Sequence, residues 1–340
     1  MHAGRQYSLK EFLLWTRRDI LWILIWAIIP TVLYEFLDWK WLVIPWLPIA
    51  LIGTAAAFII GFKNNATYDR LWEARQIWGA IVNLSRTWGI MTRDFITAKH
   101  SVNTTSNAEL SAVHKMMIYR HFAWLTALRF QLRQKRSWEN TNKSYNIEYR
   151  NKVFRVPEWE SELSEELKNF LQEKERDYVL SKNNRASQLI SLQSAQLKSL
   201  LEKGLIEDFR HMELQSLLKD FYEQQGKCER IKNFPYPRQF ASINLFFIRL
   251  FIFLVPLGML QEFANMGEDW VWLNIPFSVM VSWVFNSMEK VGESTENPFE
   301  GNANDVPITA LSRTIEIDLR EMLDETDIPK PLEPVNNILM

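Results

Sequence analysis

The chain is 340 residues long, enough for two ordinary domains or for one membrane unit with a soluble lobe. Its 39 basic and 40 acidic residues nearly cancel, which argues against nucleic acid as a partner and against a disordered acidic chain. A single cysteine, Cys228, excludes a disulfide scaffold and a cysteine-ligated structural zinc.

Residues 1–18 carry Arg5, Lys10, Arg17 and Arg18 and read as an N-terminal cytosolic segment. Residues 20–34 and 41–62 then lack any charge, which predicts a transmembrane hairpin over residues 19–62. A bilayer-crossing helix needs about 20 mostly apolar residues, so the first span has to extend through Glu35 and Phe36. It begins too late and leads too directly into the second span for a cleaved signal peptide. Pro45 and Pro48 are expected to interrupt the second span.

The region 63–238 reads as a cytosolic helical domain. An amphipathic helix continues past Phe62 through Trp72, Ile77, Trp78, Ile81, Leu84, Trp88 and Met91, at spacings of three, four and seven. Residues 97–107 form a polar loop, 110–136 a helix, and 137–157 an irregular stretch. Helices follow over 160–176, over 186–203 with a stop at Gly204, and over 206–225 ending near Gly226. A second transmembrane hairpin covers 239–289, in which residues 240–260 carry only Arg249 and 270–288 no charge. Residues 290–324 are a cytosolic segment packing on the domain, with a helix over 308–322, and 325–340 a proline-bearing C-terminal tail. No segment alternates with period two, so the fold class is all-α.

Orientation follows from the basic residues beside the spans. They crowd before the first, after the second and before the third, whereas the connections 35–40 and 261–269 hold one base and five acids. Both termini are therefore expected in the cytoplasm of a multi-pass membrane protein. Trp39, Trp41, Trp46, Trp270 and Trp272 form an outer aromatic belt.

Enzyme constellations are absent. His2, His100, His114, His121 and His211 are scattered without acidic partners at ligand spacing, and there is no phosphate-binding glycine loop or nucleophile elbow. No cofactor or metal is expected.

The second span carries more information. Gly53, Ala57 and Gly61 recur every four residues and present a nearly bare face to another helix. Beside them Thr54, Phe58 and Phe62 make a second stripe, readable as helix-packing core or as a pore wall. A dense polar run follows: Lys63, Asn64, Asn65, Asp69, Arg70, Glu73 and Arg75. Such charge at a span's end indicates interlocked ion pairs or a wet vestibule. Arg249 must be paired or wetted, either as a structural ion pair at an assembly interface or as an ion-binding group.

The runs Phe58-Ile-Ile-Gly-Phe62-Lys-Asn-Asn-Ala66, Tyr68-Asp-Arg70-Leu-Trp72-Glu73-Ala-Arg75 and Trp78-Gly79 resemble the signature of the bestrophin family in its bacterial branch. Further matches come in order: Ala127-Leu-Arg129-Phe-Gln-Leu-Arg133, Cys228-Glu-Arg230-Ile with Pro235 and Pro237, and Glu296-Asn-Pro298-Phe299 through Asn304-Asp305-Val-Pro307. The resemblance covers most of residues 5–325. It implies a homopentameric ion channel in the lipid bilayer, four membrane helices per subunit, with small inorganic ions as the permeant partners. It places a hydrophobic neck on Thr54, Phe58 and Phe62, and a cytosolic aperture on Met212, with Ile206 or Phe209 as substitutes.

Two departures stand out. Thr54 is smaller and more polar than the bulky apolar residue usual there. The stretch 300–305 has too few carboxylates for the calcium clasp of the animal members and is expected to brace the following helix. Aromatic ring edges carry positive partial charge, so Phe tiers favour chloride-like anions. The alternative is a monovalent cation (sodium) channel of the same architecture. A secondary transporter or a membrane-anchored scaffold are remoter readings.

Overall fold

A computed structural model describes residues 1–99 and 105–340. His100 and the middle of the loop expected over 97–107, residues 100–104, lie outside the described residues. Among those described there are eleven α-helices and no strand. In chain order they are α1 Leu9–Leu37, α2 Trp46–Phe95, α3 Asn107–Leu132, α4 Ser144–Val153, α5 Leu163–Lys168, α6 Glu173–Leu180, α7 Arg185–Glu202, α8 Asp208–Asn233, α9 Arg238–Met266, α10 Asn274–Thr295 and α11 Ile308–Met322. The all-α expectation holds.

The chain divides into two compact units. One comprises residues 4–71 and 235–297 and holds α1, the first half of α2, α9 and α10. These four helices are long and apolar enough to cross a membrane. Ser8 opens α1 with a capping box to Glu11, and Asp38 closes it in the left-handed region. Pro48 interrupts nothing: α2 starts at Trp46, and a proline in the first turn removes no helical hydrogen bond. Ile23, Ile60, Ile248 and Ile252 form one buried cluster and Ile49, Phe251 and Val255 another. The small-residue stripe divides. A Cβ on Gly53 would lie 2.5 Å from the Phe251 ring, whereas Gly61 has no neighbour within 4 Å and Ala57 is exposed. The packing face of α2 is instead Ile49, Gly53, Ala56 and Ile60.

Polar ties at several heights fix these helices. Asn274 Nδ2 donates to Thr31 Oγ1 at 2.9 Å, and Trp283 Nε1 to Thr16 Oγ1 at 3.0 Å. Lys290 Nζ meets Asp19 Oδ2 at 2.5 Å. A further tie is a buried triad in which the Glu289 carboxylate receives both Lys63 Nζ and Asn244 Nδ2. Asn64 Nδ2 adds a bond to the Met288 carbonyl at 3.1 Å.

The other unit comprises residues 1–3, 72–234 and 298–340. Trp78, Ile81 and Trp88 of α2 are buried there with Trp124 and Leu128 of α3 and Phe221 of α8. A Cβ on Gly89 would meet Leu319 Cδ2 at 2.4 Å, so a larger residue there would displace the Leu319 and Met322 side-chain ends of α11. His121 sits wholly buried, its Nε2 2.9 Å from Ser85 Oγ and its ring 4.7 Å from that of Phe221. Burial drops its pKa to about 3. Cys228 is buried too, and its desolvation pushes the thiol pKa well up.

Several expected elements differ. The stretch 137–157 holds a helix, α4, whose Tyr149 and Val153 pack on Phe154 and Val156. The helix expected over 160–176 is two short ones, α5 and α6. Gly226 stops nothing: α8 runs on because Cys228, Ile231 and Lys232 continue its buried face. Gly204, with φ +69°, does end a helix as expected. The final residues are anchored as well. Ile338 and Met340 are buried against Phe154 and Val156, the Met340 carbonyl accepts from Ala310 N at 2.7 Å, and the Met1 ammonium donates to Leu339 O. The stretch 300–305 is tied by its carboxylates: Glu300 accepts from Asn140 N at 2.8 Å, and Asp305 meets Arg133 Nη1 at 2.9 Å.

Two outcomes are expected. Glu289→Ala strands a buried lysine, so thermal unfolding in detergent should show a loss of about 3–5 kcal/mol, while Lys63→Met with Glu289→Met should recover most of it. Equal stability of wild type and Glu289→Ala would refute the triad's role. Because folded His121 resists protonation, stability is full above the unfolded imidazole's 6.5 and falls as pH drops from there towards about 3. His121→Gln should cut the loss between pH 7.5 and 5 by on the order of 2 kcal/mol, read from unfolding midpoints at both pH values.

Candidate functional site

An α-helix turns 100° per residue, so residues three, four and seven apart share a face. On α2 the packing face of Ile49, Gly53, Ala56 and Ile60 is used up within its unit. The opposite face carries Leu47, Leu51, Thr54, Phe58 and Phe62, all exposed. Phe58 is 68% and Phe62 62% exposed, although phenylalanine is among the residues most often buried. Their centroids are 4.8 Å apart at an interplanar angle of 88°, an edge-to-face pair that fixes each ring against the other. The Thr54 hydroxyl donates to the Ala50 carbonyl of its own helix at 2.9 Å. Leu47 and Leu51, not singled out from the sequence, extend the stripe by two turns. Their spacing to Thr54 was the available signal.

The polar run after Phe62 separates into bonded and exposed residues. Lys63 and Asn64 tie α2 to α10 as described. Arg70 Nε donates to the Glu296 carbonyl at 3.1 Å, and Glu73 pairs with Arg230. Asn65 and Asp69 are exposed and continue the Phe58–Phe62 face by one and two turns, while Arg75 lies exposed further down. Among the described residues neither Asp69 nor Arg75 has an ion-pair partner. Glu289 and Asn244, which hold Lys63, were missed. Glu289 lies immediately beyond the charge-free window 270–288, where a carboxylate at a span's end signals such a partner.

Arg249 lies exposed on α9 with no hydrogen bond or ion pair within the subunit among the described residues. Asn244, one turn away, is occupied by Glu289. Phe251 seats on Gly53 and Asn244 shares Glu289 with Lys63, so Arg249 falls between the heights of Gly53 and Lys63.

Met212, on the second turn of α8, is 68% exposed and Phe209 85% exposed. Leu214, Leu217 and Leu218 bury the other face of that helix. Ile206, only 4% exposed, cannot substitute for Met212 at an aperture. Among the described residues no three His, Cys, Asp or Glu side chains converge to hold a metal ion.

Comparison with known proteins matches residues 14–321 to the bacterial and fungal bestrophin proteins. The chain is 26% identical over 288 residues to the voltage-dependent anion channel-forming protein YneE of Escherichia coli K12, covering 84% of this chain and 80% of that one. It is 25% identical over 281 residues to the voltage-dependent anion channel-forming protein RSc3414 of Ralstonia nicotianae, covering 83% and 78%. The crystal structure of a bacterial bestrophin homolog from Klebsiella pneumoniae shares its fold, with a TM-score of 0.73 at 23% identity over 90% of this chain and 97% of that one. With the matched profile spanning nearly the whole chain, from α1 into the end of α11, the chain belongs to the bacterial and fungal bestrophin family.

Proposed function

We propose that this chain is one subunit of a homopentameric channel for chloride-like anions, with the outward face of α2 lining a central path. The observation that carries this reading is the exposed Phe58–Phe62 pair, which its own subunit leaves uncovered while filling the opposite face of the same helix. The relatives named as anion channel-forming proteins support it. Five copies around an axis would stack Phe58 and Phe62 as two apolar tiers beneath Thr54.

Such tiers gate by wetting. A narrow apolar ring expels water and stops ions, and a small dilation refills it. Ring edges turned to the lumen present partial positive charge and favour anions. Met212 would supply a second constriction. Arg249, unpaired in the subunit and lying between the heights of Gly53 and Lys63, would find its hydrogen-bond acceptors across the seam between subunits, since a lone guanidinium in lipid is costly. The orientation that puts both termini in the cytoplasm sets the Asp69 end of α2 on the inner side of the membrane.

A cation channel of the same architecture, passing sodium, is the second reading. The exposed carboxylate of Asp69 favours it, because five such groups below the neck would concentrate cations.

The purified protein in a planar bilayer should give discrete current steps whose reversal potential in a sodium chloride gradient lies towards the chloride equilibrium potential. Reversal towards the sodium potential would favour the second reading, and absence of steps would point to a transporter or scaffold. Phe58→Ala should raise unitary conductance and background leak, and unaltered currents in that variant would remove Phe58 from the path.

A further inference from the structure

A second concavity has no part in conduction along α2. A cleft of about 610 Å3 opens among the C-terminal end of α3, the start of α5 and the entrance to α7. Its walls hold four cations, Arg133, Lys135, Lys182 and Arg185, against one carboxylate, Glu158. The acid is already answered: Arg129 Nη1 lies 2.7 Å and Thr309 Oγ1 2.6 Å from its Oε1, and Arg133 Nε stands 3.9 Å from its Oε2. Arg133 is likewise answered by Asp305 at 2.9 Å.

Lys135, Lys182 and Arg185 remain. None forms an ion pair among the described residues. Lys135 Nζ rests 4.6 Å over the Trp159 ring and Lys182 Nζ 4.6 Å over the Tyr178 ring, weak tethers from which a flexible lysine swings readily. The Arg185 Nε is buried without an acceptor, an uncommon state for a guanidinium nitrogen. Asn183 and Arg185 also bring the N-terminal turn of α7, an 18-residue helix, to the cleft wall. The helix dipole there adds to the positive potential, although Asn184 Oδ1 caps the turn by accepting from Ser187 N at 3.0 Å and Glu229, bonded to Asn184 and Gln131, stands behind it. Trp159 is immobilised by its Nε1 bond to the Arg133 carbonyl at 2.8 Å, so the wall is pre-formed.

We propose that this cleft binds a small soluble polyanion carrying phosphate or carboxylate groups, with Arg185 and Lys182 as the principal contacts and Lys135 closing over it. The volume suits a metabolite-sized ligand and is far larger than a chloride ion needs. Three cations without an ion-pair partner suit a ligand of two or three negative charges. The site is independent of which ion the channel passes.

The test is calorimetric titration of the full-length protein in detergent with inorganic pyrophosphate and, separately, with citrate, each at matched ionic strength and repeated at rising sodium chloride. Saturable binding at one site per chain by either probe is expected, weakening as salt rises, and the probe preferred identifies the anionic group. Lys182→Gln and Arg185→Gln should each weaken it about tenfold, the worth of one charge-assisted contact. Lys198→Gln, on the solvent side of α7 and paired with Glu202, should leave it unchanged. No saturable binding of either probe, or equal binding by wild type and Lys182→Gln, would overturn the proposal. Lys182 is half-exposed and its replacement leaves the fold intact, so that variant decides even if Arg185→Gln unfolds.

Discussion

A lysine ammonium buried among apolar helices must meet an acid, and in this chain Lys63 meets Glu289 while Asn244 fills the second carboxylate oxygen. Three helices contribute one residue each, so the triad sets both the height and the roll of α2. Once the roll is set, the rest of the helix has no freedom. Ile49, Gly53, Ala56 and Ile60 turn into the unit, and Phe58 and Phe62 must turn out of it. The aromatic stripe is thus the geometric complement of an ion pair, and the same roll presents Asn65 and Asp69 one and two turns further along.

The other unit uses charge differently. Its buried ions are chained: Arg129 and Thr309 on Glu158, Arg133 on Asp305, Asp305 on the Gly301 amide at 2.6 Å. Each acid is shared by donors from separate segments, which locks α3 to the connection leading into α11. The resulting wall leaves its surplus positive charge on Lys135, Lys182 and Arg185, where the cleft opens.

Much of this was legible in the residues. Three of the spans are long charge-free runs and the third in order carries only Arg249, and α11 follows its amphipathic pattern to the expected ends, Ile308 and Met322. The exposed stripe on α2 was also visible as a period of four. What escaped was whatever depends on a partner far away in sequence. Gly226 carries a stop signal, yet Cys228 and Ile231 bury the next turn and override the local preference. Gly61 looks like part of a packing stripe, yet the ring of Phe251 reaches only Gly53. The tail 325–340 is polar and proline-bearing, but Ile338 and Met340 find an apolar seat beside Phe154 that no local pattern announces. Glu289 pairs with a residue 226 positions earlier, which spacing rules cannot reach.

Burial of the lone thiol has a practical side. Cys228 is wholly enclosed and held protonated, so thiol reagents that attack the thiolate will pass it by while the protein stays folded. The natural chain is therefore already a background for chemical labelling. A cysteine introduced anywhere along the Leu47–Asp69 face would report, by its rate of modification from one side of the bilayer or the other, where water reaches and where it stops.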